Sequence, residues 1–140
     1  MLDPAALESI GSDEKARELL QITWKILDAI HNGDAKIYAF YSSPELSCFE
    51  DVCPYRIDGL DFHLDMIRLM ANNTENRPVR FDLLNPKVQL YGDTGIVSYT
   101  RLLTFDDAGK PQWTTYNETR VFVKIENSWK MVHFHRSPTH

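Results

Sequence analysis

The stretch VRFDLLNPKVQLYGDTGIVSYTRLLTF, residues 79–105, decides the fold. Before Val79 apolar residues recur near the helical period of 3.6, and from it onward they alternate. Alternation reads as strand, and Gly92-Asp93 in the middle supplies a turn, so the stretch is two antiparallel strands joined tightly. Pro86 cannot donate a ladder hydrogen bond, which puts the first of these strands at an edge or a bulge. Toward the C-terminus, WTTYNETRVFVKIE (113–126) and SWKMVHFHRS (128–137) continue the alternation as two more strands. They follow the turn segments DDAGKP and Glu126-Asn127-Ser128.

Toward the N-terminus the period is helical. Ser12 stands as a hydroxyl cap before Asp13 and Glu14, two acids at the positive end of a helix dipole. Ala16, Leu19, Leu20, Thr23, Trp24, Leu27 and Ile30 then form one apolar stripe, which HNGD (31–34) stops with Asn-Gly. AKIYAFYSS (35–43) reads as a short helix ending before Pro44, and LSCFED (46–51) as a short strand. GLDFHLDMIRLMANN (59–73) reads as a third helix, with Leu60, His63, Leu64, Ile67, Met70 and Ala71 near one face. Helices first and a strand meander last make an α+β domain, a long N-terminal helix packed on a curved, mostly antiparallel sheet. We place an N-terminal extension at 1–12 and one domain at 13–140.

A chain of 140 residues with 43% hydrophobic and 25% charged residues is ordinary for one globular unit. Its net charge of -5 excludes the clustered Lys and Arg that nucleic-acid binding needs. The N-terminus has no basic segment followed by an apolar run, so neither a leader nor a membrane span is expected, and a cytoplasmic protein is. In that compartment the sequons Asn72-Asn73-Thr74 and Asn117-Glu118-Thr119 are chance matches, and Cys48 and Cys53 are free thiols without a function.

The chemistry-bearing residues lie on the strands. Alternate side chains share a face, so Val97, Tyr99, Arg101, Leu103 and Phe105 point one way, as do Tyr116, Glu118, Arg120 and Phe122. On the last strand Trp129, Met131, His133 and His135 form the corresponding row. Three such rows side by side make a concave, basic, aromatic-rimmed surface. Two guanidiniums there would hold a small carboxylate by paired hydrogen bonds. The alternative is that Glu118, Glu50 or Asp61 neutralises Arg101 and Arg120 in a buried network. His63, between Asp61 and Asp65, has a carboxylate for a general-base pair nearby in sequence, though two residues apart on a helix do not face each other. No zinc spacing is present, no Gly-rich phosphate loop, and no cofactor or metal is expected.

GLDFH, LNPKVQLYGD, SYTRLLTF, NETRVF and WKMVHFHRS, in that order, with IHNGD at the helix exit, resemble the association (hub) domain of calcium/calmodulin-dependent protein kinase II. The likeness runs from about Glu14 to Ser137. It implies a cone-shaped fold of the nuclear-transport-factor-2-like, ketosteroid-isomerase-like superfamily, pairing across its sheet and stacking of pairs into rings. It also implies a pocket for small carboxylates, which motif by motif falls on His63, Tyr99, Arg101 and Arg120. His135 either closes the floor of that pocket or joins His133 and Arg136 on an assembly surface. Two departures stand out: the third helix offers Met70 and Ala71 where the family has an aromatic, and Asn127-Ser128 replaces an Asp-Gly turn. No kinase motif is found within these residues.

Two functions fit. One is a non-catalytic self-association module, a homodimer or higher ring with a small-acid pocket and no nucleic-acid or membrane partner. The other is a proton-transfer enzyme of the ketosteroid-isomerase or polyketide-cyclase type, with Asp61 or His63 as base and Tyr99 and Arg101 as donors. Co-assembly with hub-bearing kinases is a third idea that no residue here tests.

Overall fold

The computed structural model describes residues 1–73, 75 and 77–140. Thr74, the acceptor-defining position of the first sequon, lies outside the described residues. Six strands form one open curved sheet in the order β2-β1-β6-β5-β4-β3. They are β1 (Ser42–Glu50), β2 (Cys53–Asp58), β3 (Arg80–Tyr91), β4 (Thr94–Asp107), β5 (Lys110–Ile125) and β6 (Ser128–Pro138). The expected α+β class is what the structure has. Every pairing is antiparallel except that of β1 with β6, which is parallel and joins strands separated in sequence by β2, a helix and β3–β5.

The long helix α2 (Glu14–Asn32) lies across the inner face. Its cap is Asp13, not Ser12: the Asp13 backbone is extended, and its carboxylate accepts from the amides of Lys15 and Ala16 at 2.9 and 3.2 Å. Ser12 stands one residue too early to reach those amides. Leu19, Leu20, Ile26 and Leu27 are fully buried against Val97, Phe122 and Met131 of the sheet in one core cluster. Gly95 on β4 permits the close approach, since a Cβ there would stand 2.3 Å from Leu19 Cδ2.

α3 (Ala35–Phe40) is shorter than its apolar run suggests. Ser42 Oγ donates to the Tyr38 carbonyl at 2.7 Å while Ser42 pairs with Met131, so the chain is already strand there. Pro44 is tolerated inside β1 because the pairing with β6 is interrupted between Ser42 and Ser47. Pro86 likewise sits on edge strand β3 where the register shifts between Leu84 and Lys87, as its missing N–H requires.

Two elements escape the periodicity. β2, CPYRID, is an exposed edge strand braced by the Arg56–Asp58 ion pair at 2.7 Å, so it carries no apolar alternation to read. α1 (Pro4–Ser9) lies within the segment assigned above as an extension. Asp3 caps it, Pro4 opens it, and its Leu2 and Ala6 flank join the same core cluster as α2. Removing residues 1–12 should therefore leave 13–140 folded but lower unfolding free energy by about 2 kcal/mol, the worth of burying one large and one small apolar side chain. Urea denaturation of the shortened chain measures this, and unchanged stability would mean that α1 does not pack.

Candidate functional site

The helices pack on the inner face of the sheet, and a cavity lies between α2, β4–β6 and α4 (Asp61–Ala71). It consists of two adjoining hollows, of about 380 and 220 Å³, that share Ile30, Met70, Arg101 and Arg136 as walls. Met70 of α4 thus faces both hollows.

Behind the shared wall lies a fully buried polar network. Glu118 Oε2 meets Arg101 Nη2 at 2.9 Å in an ionic contact not aligned as a hydrogen bond, and Arg120 Nη2 donates to Glu118 Oε1 at 3.3 Å. The Tyr99 hydroxyl donates to Glu118 Oε1 at 2.6 Å and accepts from Arg120 Nε at 2.7 Å. Arg120 also stacks on Phe134, 4.7 Å from the ring centre. Burial pushes the Glu118 carboxyl upward, but Arg101 first and Arg120 next pull it net below the usual range, so it is ionised. Tyr99 is pushed well above its ordinary value by the same burial and stays a neutral donor. Of the three partners weighed for the arginines, Glu118 is the one in place. Tyr99 belongs to this network and not to the wall of either hollow.

The expected row on β6 does not hold beyond Met131. Val121 pairs with His133 and Phe122 with Met131, so Val132 bulges out of the ladder and the alternation changes phase. Phe134 and Arg136 take the inward positions. His135 is exposed on the outer face, where Phe49 stacks on it at 5.6 Å, and His133 faces outward too, with Ser47 Oγ 2.8 Å from its Nδ1. His135 therefore neither floors nor lines the two hollows. Asp61 is exposed at the first turn of α4 and faces away from them. His63 is buried beside Phe134 and lines the second hollow. Burial, then Arg120, brings its pKa down to about 4, so it is neutral.

Four residues outside the expected ligand set complete the walls. Arg136 enters through the bulge; it reaches Asp51 Oδ1 at 2.7 Å and lies over the Tyr116 ring at 4.6 Å. Glu50 is half-buried on the inward row of β1 with Leu46 and Cys48, a parity visible in LSCFE. Burial raises its carboxyl above the ordinary value. His31 lines the first hollow from α2, four residues after Leu27 on the same helix face. Arg77 at the mouth donates to the His31 carbonyl at 2.6 Å.

Around the shared wall Arg101 and Arg120 meet Glu118 and Arg136 meets Asp51, while Glu50 makes no ion pair among the described residues. The uncommitted capacity is local: among the described residues, Arg101 Nε and His31 Nδ1 are buried without a hydrogen-bond partner, and both residues line the larger hollow. Such orphans cost about 1–3 kcal/mol each unless something meets them.

Residues 15–140 match the family model described as the calcium/calmodulin dependent protein kinase II association domain. The delta subunit of that kinase from Oryctolagus cuniculus is 36% identical over 130 residues, which is 89% of this chain and 24% of that protein. The chain thus spans about a quarter of the curated relative it matches. Among solved structures, the association domain of C. elegans CaMKII superposes with a TM-score of 0.79 at 30% identity, covering 88% of this chain and 95% of that one. A protein of the NTF2-like family from Streptomyces avermitilis, at 22% identity and TM-score 0.76 over 91% and 98% of the two chains, shares the fold. No helix among the described residues is long and apolar enough to cross a membrane.

Proposed function

Because the chain belongs to the family of the calcium/calmodulin dependent protein kinase II association domain, we propose that it is a self-associating module, a homodimer or a larger closed ring. The observation that carries this reading is the family match across 126 of its 140 residues, 15–140. The physical support is the outer face of the sheet. Among the described residues the helices pack on the other side, so Phe49, Leu102, Val121, His133 and His135 lie on a broad face that no described element covers. Closed symmetric assembly is the common use of such a face. The reading includes a cytoplasmic setting, in which Cys48 and Cys53 stay reduced.

The same reading assigns the larger hollow to a small organic acid, held by Arg101 with help from His31 and Arg136, while Arg120, Tyr99 and Glu118 fix Arg101 from behind. His63 closes the adjoining hollow. The proton-transfer reading finds less support, since Asp61 is exposed and Tyr99 is bound up in the buried network.

Light scattering on a sizing column tests the first part: a mass that is a multiple of 16.2 kDa is expected, and a monomer at micromolar concentration would overturn it. Val121→Lys on the outer face should shift the mass toward the monomer, because the partner copy would bury the charge. Calorimetric titration with acetate and a hydroxybutyrate tests the second part. Arg101→Met should weaken binding about 10- to 100-fold, the worth of one charged hydrogen-bonding group. Equal affinity in the variant would remove the acid from this site without touching the association reading.

A further inference from the structure

At the far end of the second hollow, ligating side chains from two elements converge. Leu46, Cys48 and Glu50 alternate inward on β1, Cys48 fully buried and Glu50 half-buried. His63 reaches the same point from α4, and its Nε2 lies 3.5 Å from Cys48 Sγ. One ligand atom from each of Cys48, Glu50 and His63 lies within 4.8 Å of the other two. A tetrahedral zinc ion with bonds of about 2.0–2.3 Å holds its ligand atoms roughly 3.3–3.8 Å apart. The thiol and imidazole already stand at that separation. Glu50 stands within about 1 Å of that separation and closes the gap on binding.

Glu50 is the second observation. Among the described residues its carboxylate makes no ion pair and no hydrogen bond, although it is half-buried against a cavity wall. Its oxygens are thus free to ligate an ion that enters from the hollow. The two guanidiniums whose charge Glu50 feels most, Arg136 and Arg120, are already engaged, the first by Asp51 and the second by Glu118 and Tyr99.

We propose that Cys48, Glu50 and His63 form a site for one divalent metal ion of the zinc class, with its fourth position open to the second hollow. A sulfur, nitrogen and oxygen donor set favours zinc and cobalt over magnesium or calcium, which take oxygen ligands. On binding, the Cys48 thiol gives its proton to solvent, and the thiolate and carboxylate together balance the two charges of the ion. No zinc spacing is visible in the sequence because the ligands come from a strand and from a helix 13 residues beyond Glu50.

The test is titration of cobalt(II) into the full chain under a non-thiol reductant, read as the thiolate-to-cobalt charge-transfer band and displaced by zinc. One cobalt per chain is expected. Cys53→Ser, which removes the only other cysteine, should keep the band, and Cys48→Ser should lose it. Glu50→Gln changes a half-exposed side chain outside the apolar core and should weaken cobalt binding at least tenfold with an unchanged circular-dichroism spectrum. Should Cys48→Ser fail to fold, the Cys53→Ser and Glu50→Gln pair decides the matter. No band in the natural sequence, a band lost with Cys53, or an affinity indifferent to Glu50 overturns the site.

Discussion

Glu118→Gln is expected to lower the free energy of unfolding by about 3–5 kcal/mol, the range for removing one member of a buried ionic network. The reason is asymmetry. Glu118 is the single carboxylate shared by Arg101 and Arg120, whose side chains are 6% and 2% exposed, so its loss leaves two buried guanidiniums with no counter-charge between them. An amide keeps the shape and one acceptor but not the charge. Arg101→Met should cost less, about 1–2 kcal/mol, because Glu118 then still holds Arg120 and the Tyr99 hydroxyl. Urea unfolding of the two variants checks the order, and an Arg101→Met that costs more than Glu118→Gln would contradict the network as described.

The same residue gives a pH dependence of defined sign. The folded pKa of Glu118 lies below its ordinary value, burial being outweighed by Arg101 and then Arg120. Its contribution is therefore fully present above the unfolded carboxyl value near 4.5 and is lost as pH falls through the lower folded value. The Gln variant should lose stability less steeply than the natural chain below about pH 4.5. An identical acid limb in the two proteins would assign the acid sensitivity to other groups.

Much of the fold was legible because it is written in period. The change at Val79 gives four strands, which the structure reproduces to within three residues at each end, and α2 follows from its apolar stripe and the Asn-Gly stop. What was illegible is what tertiary pairing decides. β2 has no apolar face because it is an exposed edge, and the parallel union of β1 with β6 has no local signal. The bulge at Val132 is the most consequential case. One unpaired residue exchanges the two faces of β6, so reading strict alternation placed His133 and His135 in the cavity and left out Phe134 and Arg136. The site was legible in residue type and less so in grouping. Arg101, Arg120 and His63 do meet at the cavity, but Glu50 and His31, on other elements, carry no mark beyond their parity with buried neighbours.

Gly33→Ala should cost about 3–4 kcal/mol and weaken acid binding at the same time. Gly33 ends α2 in the left-handed region, φ 72°, where a side chain costs about 1–2 kcal/mol. It also meets the last turn of α4: a Cβ there would stand 2.4 Å from Ala71 Cβ and 3.1 Å from Ala71 Cα. Neither atom can rotate away, so the two helices must separate, an overpacking cost of about 1–3 kcal/mol. Gly11→Ala separates the two contributions, since Gly11 has φ 91° with no atom within 4 Å of the added Cβ, and should cost only the conformational part. The excess of Gly33→Ala over Gly11→Ala then measures the helix contact alone. Because α4 carries His63 and Met70, and α2 carries Ile30 and His31, moving these helices apart shifts opposite walls of the cavity. If the two glycine variants cost the same and acid affinity is unchanged, the contact at Ala71 does not set the cavity width. An excess accompanied by weaker binding would mean that one glycine fixes both the exit of the long helix and the width of the site.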